Sequence, residues 1–178
     1  RLALQQVLTR LDEQGIDGVD AEVIYPSQRT MGAFMAQADT SYHLAGVDAY
    51  NQWIAAYCAS SPTRLLGAGQ TAMRTPAEGI LDLQAIKQLG LRGVMMPGQP
   101  VVEDYDSPIY DEFWEAAIAL ELPLSFHILT TRETSPTRGP KLNAFLSVIR
   151  GCQDIMGALV LGGVFERHPR LRVVCVEA

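Results

Sequence analysis

A histidine at the end of a short apolar run is the residue of this sequence best suited to chemistry. Residues 122–127, Leu-Pro-Leu-Ser-Phe-His, have the pattern of a buried β-strand, and helical patterns lie on both sides of it. A barrel of alternating strands and helices presents its reactive residues at the carboxyl ends of its strands. We therefore predict that His127 binds a divalent metal or acts as a general base. The alternative is a structural histidine that hydrogen-bonds to a neighbour at the end of the sheet.

A carboxylate occupies the same position in the last predicted strand. Glu177 closes the apolar run 173–177 and, by alternation, shares a face with Val173 and Cys175. A carboxylate at the end of so apolar a strand is costly unless it is paired, hydrogen-bonded or bound to a metal. Two interpretations follow: Glu177 is a general acid/base or a polar orienting group beside His127, or it forms an ion pair with a neighbouring arginine.

Substrate contacts are predicted on the loops that follow two strands. Arg132 and Arg138 lie after the strand 122–127, where a guanidinium group can hold a substrate carboxylate, although surface arginines are also common. Met96, at the end of the strand 91–96, is a third candidate for substrate binding. His43, in a polar loop, and His168, in a turn before a proline, are predicted to be solvated structural residues.

Five apolar runs separated by helical patterns predict an α/β fold with a parallel sheet covered by helices. The predicted strands are residues 16–25, 65–71, 91–96, 122–127 and 171–177. Helix signals lie between them: a cap at Asp48, the capping box Thr75-Pro-Ala-Glu78 with a stop at Gly90, Ser107-Pro108, and two helices, 140–150 and 153–165, broken near Gly151. Two architectures fit this order of strands and helices: a partial (β/α)₈ barrel of about five units and a doubly wound sheet. The barrel is preferred because no glycine-rich phosphate loop follows any strand.

Length and composition set further bounds on what the chain does. The 178 residues are 48% hydrophobic and 19% charged, with a net charge of −6, so we treat residues 1–178 as a single domain. The chain begins without a methionine inside a helical pattern, and an eight-stranded barrel usually needs ~250 residues, so we expect a fragment. We find no signal peptide, membrane span or basic cluster, and expect a cytoplasmic protein that binds neither nucleic acid nor membrane and can form a homo-oligomer.

Several segments together resemble one enzyme family. They are Val23-Ile-Tyr-Pro-Ser27, Ala49-Tyr-Asn-Gln-Trp53 leading to Pro62-Thr-Arg-Leu-Leu-Gly67, Gly90-Leu-Arg-Gly-Val94, the run 122–127, and Phe165-Glu-Arg-His-Pro-Arg-Leu-Arg-Val173. Their order and spacing over nearly the whole chain resemble the amidohydrolase-related branch of the amidohydrolase superfamily, which includes aminocarboxymuconate-semialdehyde decarboxylase. The resemblance implies a metal-dependent (β/α)₈ barrel, usually with zinc.

The resemblance also implies roles for individual residues. His127 matches the family's fifth-strand metal ligand, whereas the first-strand and eighth-strand ligands have no counterpart in this chain. Glu177 stands where the decarboxylase has a catalytic histidine on the sixth strand, and this departure argues against decarboxylation.

These observations lead to one function and two alternatives. We expect a metal-dependent hydrolase in which an activated water attacks a small anionic or aromatic substrate, with His127 as metal ligand and Glu177 as acid/base. The first alternative is a metal-dependent decarboxylase that uses the same site. The second is a non-catalytic partial barrel that acts through a partner or an oligomer.

Overall fold

A single parallel sheet organises the fold. The computed structural model describes residues 2–27, 39–127, 139–140 and 144–177. The strands, in spatial and chain order, are β1 (Glu22–Ile24), β2 (Leu65–Gln70), β3 (Gly93–Met95), β4 (Leu124–His127) and β5 (Val173–Val176). The helices are α1 (Leu2–Asp17), α2 (Thr40–Cys58), α3 (Pro76–Gln88), α4 (Asp111–Ala119), α5 (Ala144–Leu161) and α6 (Val164–Arg167), with a 3₁₀ turn at Pro108–Tyr110.

The sheet is curled. Ser125 of β4 donates a hydrogen bond from its Oγ to the hydroxyl of Tyr25, which follows β1, over 3.4 Å. Three strand spacings separate β1 from β4, a distance of ~14 Å in a flat sheet, so this contact requires the sheet to close toward a barrel. The five strands therefore form a curled half-barrel, which confirms the predicted α/β partial barrel. Within the described residues, β1 and β5 are its edges.

Glycines in β2 define which face of the sheet meets the helices. A Cβ added at Gly67 would lie 3.1 Å from Ile54 of α2, and one added at Gly69 would lie 2.8 Å from Ile86 of α3. These positions therefore face the helical layer at close approach. Because side chains alternate along a strand, the neighbouring residue Gln70 faces the interior of the half-barrel.

The main hydrophobic core lies between the sheet and the helices. Leu124 and Phe126 of β4 are fully buried in it, together with Val94 of β3. The ring of Phe126 meets the buried ring of Tyr105 edge-on, with centroids 5.3 Å apart. Among the helices that the structure describes, none has the length and apolar character to cross a lipid bilayer.

Two predicted helix starts are confirmed. The Thr75 side chain accepts a hydrogen bond from the Glu78 amide over 3.2 Å, and Pro76 is the first residue of α3. Ser107 accepts from the amide of Ile109 over 3.4 Å, which starts the 3₁₀ turn that leads into α4. In both cases the side chain satisfies an amide that has no partner inside the helix.

Three boundaries differ from the sequence prediction. The predicted strand 16–25 is shorter, because α1 continues to Asp17 and ends at Gly18, whose φ of +70° suits a glycine. Asp48 lies inside α2, whose cap is Asp39. The predicted break near Gly151 is wrong: α5 passes through it without interruption and the chain turns at Gly163, where φ is +73°.

Candidate active site

The predicted metal ligand lies where parallel strands end. His127 is the last residue of β4, and its register partner is Val176, the last residue of β5. Its side chain is 6% exposed. Leu124 and Phe126 occupy the helix-facing side of β4, so His127 shares the interior side with Ser125.

The candidate base reaches the same place by a turn of the backbone. Glu177 follows β5 directly and has a φ of +58°, so its side chain does not continue the alternation of the strand. Its Oε1 lies 3.6 Å from Nε2 of His127, and the carboxylate is 62% exposed. This separation is within ion-pair range but longer than a hydrogen bond. The structure therefore brings the two strand-end residues together and leaves the carboxylate accessible to water or substrate.

The pair of donors fits part of a metal site. An imidazole nitrogen and a carboxylate oxygen bound to one tetrahedral zinc at ~2.1 Å each lie roughly 3.4 Å apart, close to the observed separation. A protein zinc site has at least three protein ligands. Within the described ranges, no group of three or more histidine, cysteine, aspartate or glutamate side chains is placed to hold a metal. The described residues thus supply at most part of such a site.

A layer of interior side chains lies directly below the strand ends. Register pairs connect Gln70, Met95, Ser125 and Val174, one residue from each of β2 to β5. His127 is two residues beyond Ser125 on the same face, so this layer forms a floor beneath it. Gln70 is 1% exposed, and in the described part of the chain neither side-chain amide atom has a hydrogen-bond partner.

An asparagine of α2 holds the main chain at this layer. The Asn51 side chain donates to the Gln70 carbonyl over 2.9 Å and accepts from the Gln70 amide over 2.7 Å. The pairing of β1 with β2 ends at Ile24 and Gly67, so Asn51 takes the place of a strand neighbour at residue 70. Our sequence analysis missed both residues. A polar residue at the end of the apolar run 65–70 is the same signal that indicated His127.

A second carboxylate orders the loop that follows β2. Asp82 of α3 accepts hydrogen bonds from the Thr71 hydroxyl over 2.6 Å and from the Ala72 amide over 3.1 Å. Burial raises the pKa of Asp82, although these two hydrogen bonds oppose the shift. The sequence offered no signal for this contact, because an aspartate in a helix usually faces solvent.

Of the three predicted substrate contacts, Met96 lies within the residues that the structure describes. Met96 is fully buried in the hydrophobic core, where its amide donates to the Ser125 carbonyl over 2.9 Å. Its role in substrate binding stays a prediction. Arg132 and Arg138 lie outside the residues that the structure describes.

The predictions for the other two histidines are corrected in part: His43 lies in a helix rather than in a polar loop, and His168, in the turn before Pro169, is buried rather than solvated. His43 lies in α2, and its pKa is lowered by burial and by the nearby charge of Arg74. His168 is buried, with Nδ1 2.6 Å from Glu115 and Nε2 2.9 Å from Asp111. Burial alone would lower the pKa of His168, but the hydrogen bonds to Asp111 and Glu115 outweigh it and raise that pKa.

Among the solved structures that share this fold are three decarboxylases. The 5-carboxyvanillate decarboxylase of Sphingomonas paucimobilis is 26% identical, with a TM-score of 0.75 over 94% of this chain and 50% of the decarboxylase. The 2,6-dihydroxybenzoate decarboxylase of Rhizobium is 22% identical, with a TM-score of 0.69 over 94% of this chain and 54% of that protein. The third is the 5-carboxyvanillate decarboxylase of Novosphingobium aromaticivorans, complexed with manganese and 4-hydroxy-3-methoxy-5-nitrobenzoic acid. It is 19% identical, with a TM-score of 0.75 over 94% of this chain and 48% of the decarboxylase.

The sequence comparison agrees with the fold. This chain spans about half the length of the three solved structures. A family model described as Amidohydrolase matches residues 8–178, almost the whole chain. The chain therefore belongs to the amidohydrolase family.

Proposed function

We propose that the intact protein containing this chain is a metal-dependent hydrolase of a small anionic or aromatic substrate. The observation that carries the proposal is the 3.6 Å approach of His127 Nε2 to Glu177 Oε1 at the carboxyl ends of neighbouring parallel strands. This is the position where barrel enzymes place their chemistry. A buried imidazole and an accessible carboxylate supply a metal ligand and a proton acceptor in one place.

His127 would hold the metal through Nε2. A divalent ion bound there would polarise the substrate carbonyl and make a water more acidic. The manganese in the Novosphingobium enzyme supports a divalent ion, and we expect zinc because imidazole nitrogen and carboxylate oxygen are both zinc ligands. The remaining ligands would come from parts of the intact barrel outside this chain. A cytoplasmic location and a homo-oligomer are further predictions.

Glu177 would transfer a proton from the attacking water to the leaving group. Its Oε1 accepts a proton from the attacking water, and the resulting carboxylic acid returns the proton to the leaving group. In the described part of the chain the carboxylate is 62% exposed, so water or substrate can approach it there. Arg132 and Arg138 would hold a carboxylate of the substrate.

Decarboxylation of an aromatic acid is the second candidate. The 26% identity to the Sphingomonas decarboxylase favours it. In this reaction the bond from the ring to the carboxyl carbon breaks, CO₂ leaves, and a proton takes its place on the ring. Glu177 would have to be protonated to supply that proton, whereas hydrolysis requires its ionised form.

Elemental analysis of the intact protein tests the metal and a product assay tests the reaction. We expect stoichiometric divalent metal in the wild type and its loss in His127→Gln. The control His43→Gln changes another histidine, in α2, and should retain the metal. Retention of metal by His127→Gln would refute the assignment. Release of CO₂ from an aromatic acid would favour the second candidate, and hydrolysis without CO₂ the first.

A further inference from the structure

Gln70 carries a side-chain amide that the described fold does not use. The residue is 1% exposed, and neither Nε2 nor Oε1 has a hydrogen-bond partner in the described ranges. Its main-chain groups are already bound by Asn51. A buried amide without partners destabilises a protein, so a ligand group that hydrogen-bonds to it would remove this cost.

The direction of the side chain places this amide at the candidate active site. Gly67 and Gly69 face the helices at close approach, and Gln70 follows Gly69, so its side chain points into the half-barrel. It occupies the same register layer as Ser125, one level below His127. A substrate that enters the barrel mouth and reaches past His127 therefore meets the amide of Gln70.

The surroundings restrict what the amide can bind. The four residues of the layer, Gln70, Met95, Ser125 and Val174, carry no charge, and the nearby partner of Ser125 is the neutral hydroxyl of Tyr25. Burial of an anion among neutral groups is costly. A hydroxyl group, in contrast, can donate to Oε1 and accept from Nε2 of one amide. The chemistry of this floor thus favours a neutral hydroxyl over a second carboxylate.

We propose that Gln70 determines specificity by hydrogen-bonding a hydroxyl group of the substrate, at a position away from the reacting carbon. The proposal rests on the proposed function, because it assumes that the substrate binds at the carboxyl ends of the strands. It identifies the substrate as a hydroxylated small molecule and assigns recognition of the hydroxyl to β2. Gln70 is 1% exposed, so the contact would be shielded from water, where the loss of one partner has its largest effect.

Ligand binding to the intact protein, with its metal content measured by elemental analysis, tests the proposal. The probes are benzoate and the 2-, 3- and 4-hydroxybenzoates, titrated by calorimetry into the wild type and into Gln70→Met, which keeps the volume but removes the amide. We expect the wild type to bind one hydroxybenzoate roughly 10- to 100-fold more tightly than benzoate. Gln70→Met should abolish this preference without a change in benzoate affinity. Its melting temperature should be unchanged or higher, because an unpaired buried amide has been removed.

A matched variant and a metal measurement separate the outcomes. Gln84→Met changes an exposed glutamine of α3 and should keep the preference. A preference that persists in Gln70→Met, no preference in the wild type, or a large drop in the melting temperature of Gln70→Met would each overturn the proposal. A wild-type preference that Gln70→Met removes, found in a protein without stoichiometric metal, would support Gln70 while refuting the metal-dependent function.

Discussion

Two buried histidines, His127 and His168, differ in what surrounds them. Their side chains are equally inaccessible, at 6% exposure each, and both lie near carboxylates. His168 lies between α6 and β5, and both of its ring nitrogens are within hydrogen-bond distance of carboxylates on α4. His127 lies at the carboxyl end of a strand, and its carboxylate neighbour Glu177 stands at 3.6 Å, beyond a direct hydrogen bond.

We interpret this difference as one between a histidine that stabilises the fold and a histidine that, under the proposed function, takes part in the chemistry. The two carboxylates around His168 belong to one helix, and Asp111 also accepts from Arg167 over 3.1 Å. This cluster links the first turns of α4 to the segment before β5. The carboxylate beside His127 is 62% exposed and is placed by a backbone turn at the barrel mouth. Burial alone therefore does not distinguish the two histidines, whereas their positions in the barrel do.

The largest expected effect is the loss of turnover in Glu177→Gln. The amide keeps the shape of the side chain but cannot accept the proton, so kcat should fall by roughly 10²-fold or more with the metal retained. The measurement is turnover per metal-loaded site, with the melting temperature as the control for folding. Unchanged turnover would remove Glu177 from the catalytic residues. Loss of the metal would instead make it a ligand.

The second expected effect is a lower free energy of unfolding without a change in turnover. His168→Leu removes the link between Asp111, Glu115 and the segment before β5, and should lower the free energy of unfolding by about 1–3 kcal/mol. Turnover of the folded fraction should match the wild type. Denaturant unfolding and active-site titration together give both quantities. A loss of turnover as large as that of Glu177→Gln would contradict the distinction between the two histidines.

The smallest effect is a pH dependence of stability. The pKa of His168 is raised in the folded protein, so its contribution is fully present below the unfolded pKa of ~6.5 and is lost as the pH rises through the folded value. Unfolding free energy measured from pH 6 upward should therefore decline more in the wild type than in His168→Leu. Glu115→Gln, which removes one carboxylate from the cluster, should reduce the decline. Parallel curves for the wild type and His168→Leu would show that His168 does not contribute.

The sequence predicted elements best where local signals agree with tertiary packing. The run 65–71 and the capping box at Thr75 were found because apolar pattern, proline and cap point to the same boundary. Gly151 was mistaken for a helix break, since the modest cost of a glycine inside a helix can be offset by its burial. The first strand was overextended, because α1 continues to Asp17 and β1 begins only at Glu22. Arg10 of α1 donates to the Glu22 carboxylate over 2.9 Å, a contact that no local pattern shows.

The geometry of the candidate site was predicted in part. His127 was identifiable because a polar residue at the end of an apolar strand is a local signal. Alternation placed Glu177 on the face of Val173 and Cys175, but a φ of +58° redirects it toward His127. The pairing of Asn51 with Gln70 spans 19 residues and depends on how α2 packs on β2, which the sequence alone does not reveal.

Asn51 has a consequence for how this barrel can acquire new preferences. Because its amide holds both main-chain groups of Gln70, the backbone at residue 70 keeps its position whatever side chain it carries. At most interior positions of a barrel, one residue both supports the fold and contacts the ligand. A substitution that alters ligand binding there also disturbs the structure. With the specificity role proposed for Gln70, these two roles belong to different residues. Residue 70 is thus an evolvable position, at which a small library of side chains can explore new ligands while Asn51 preserves the scaffold.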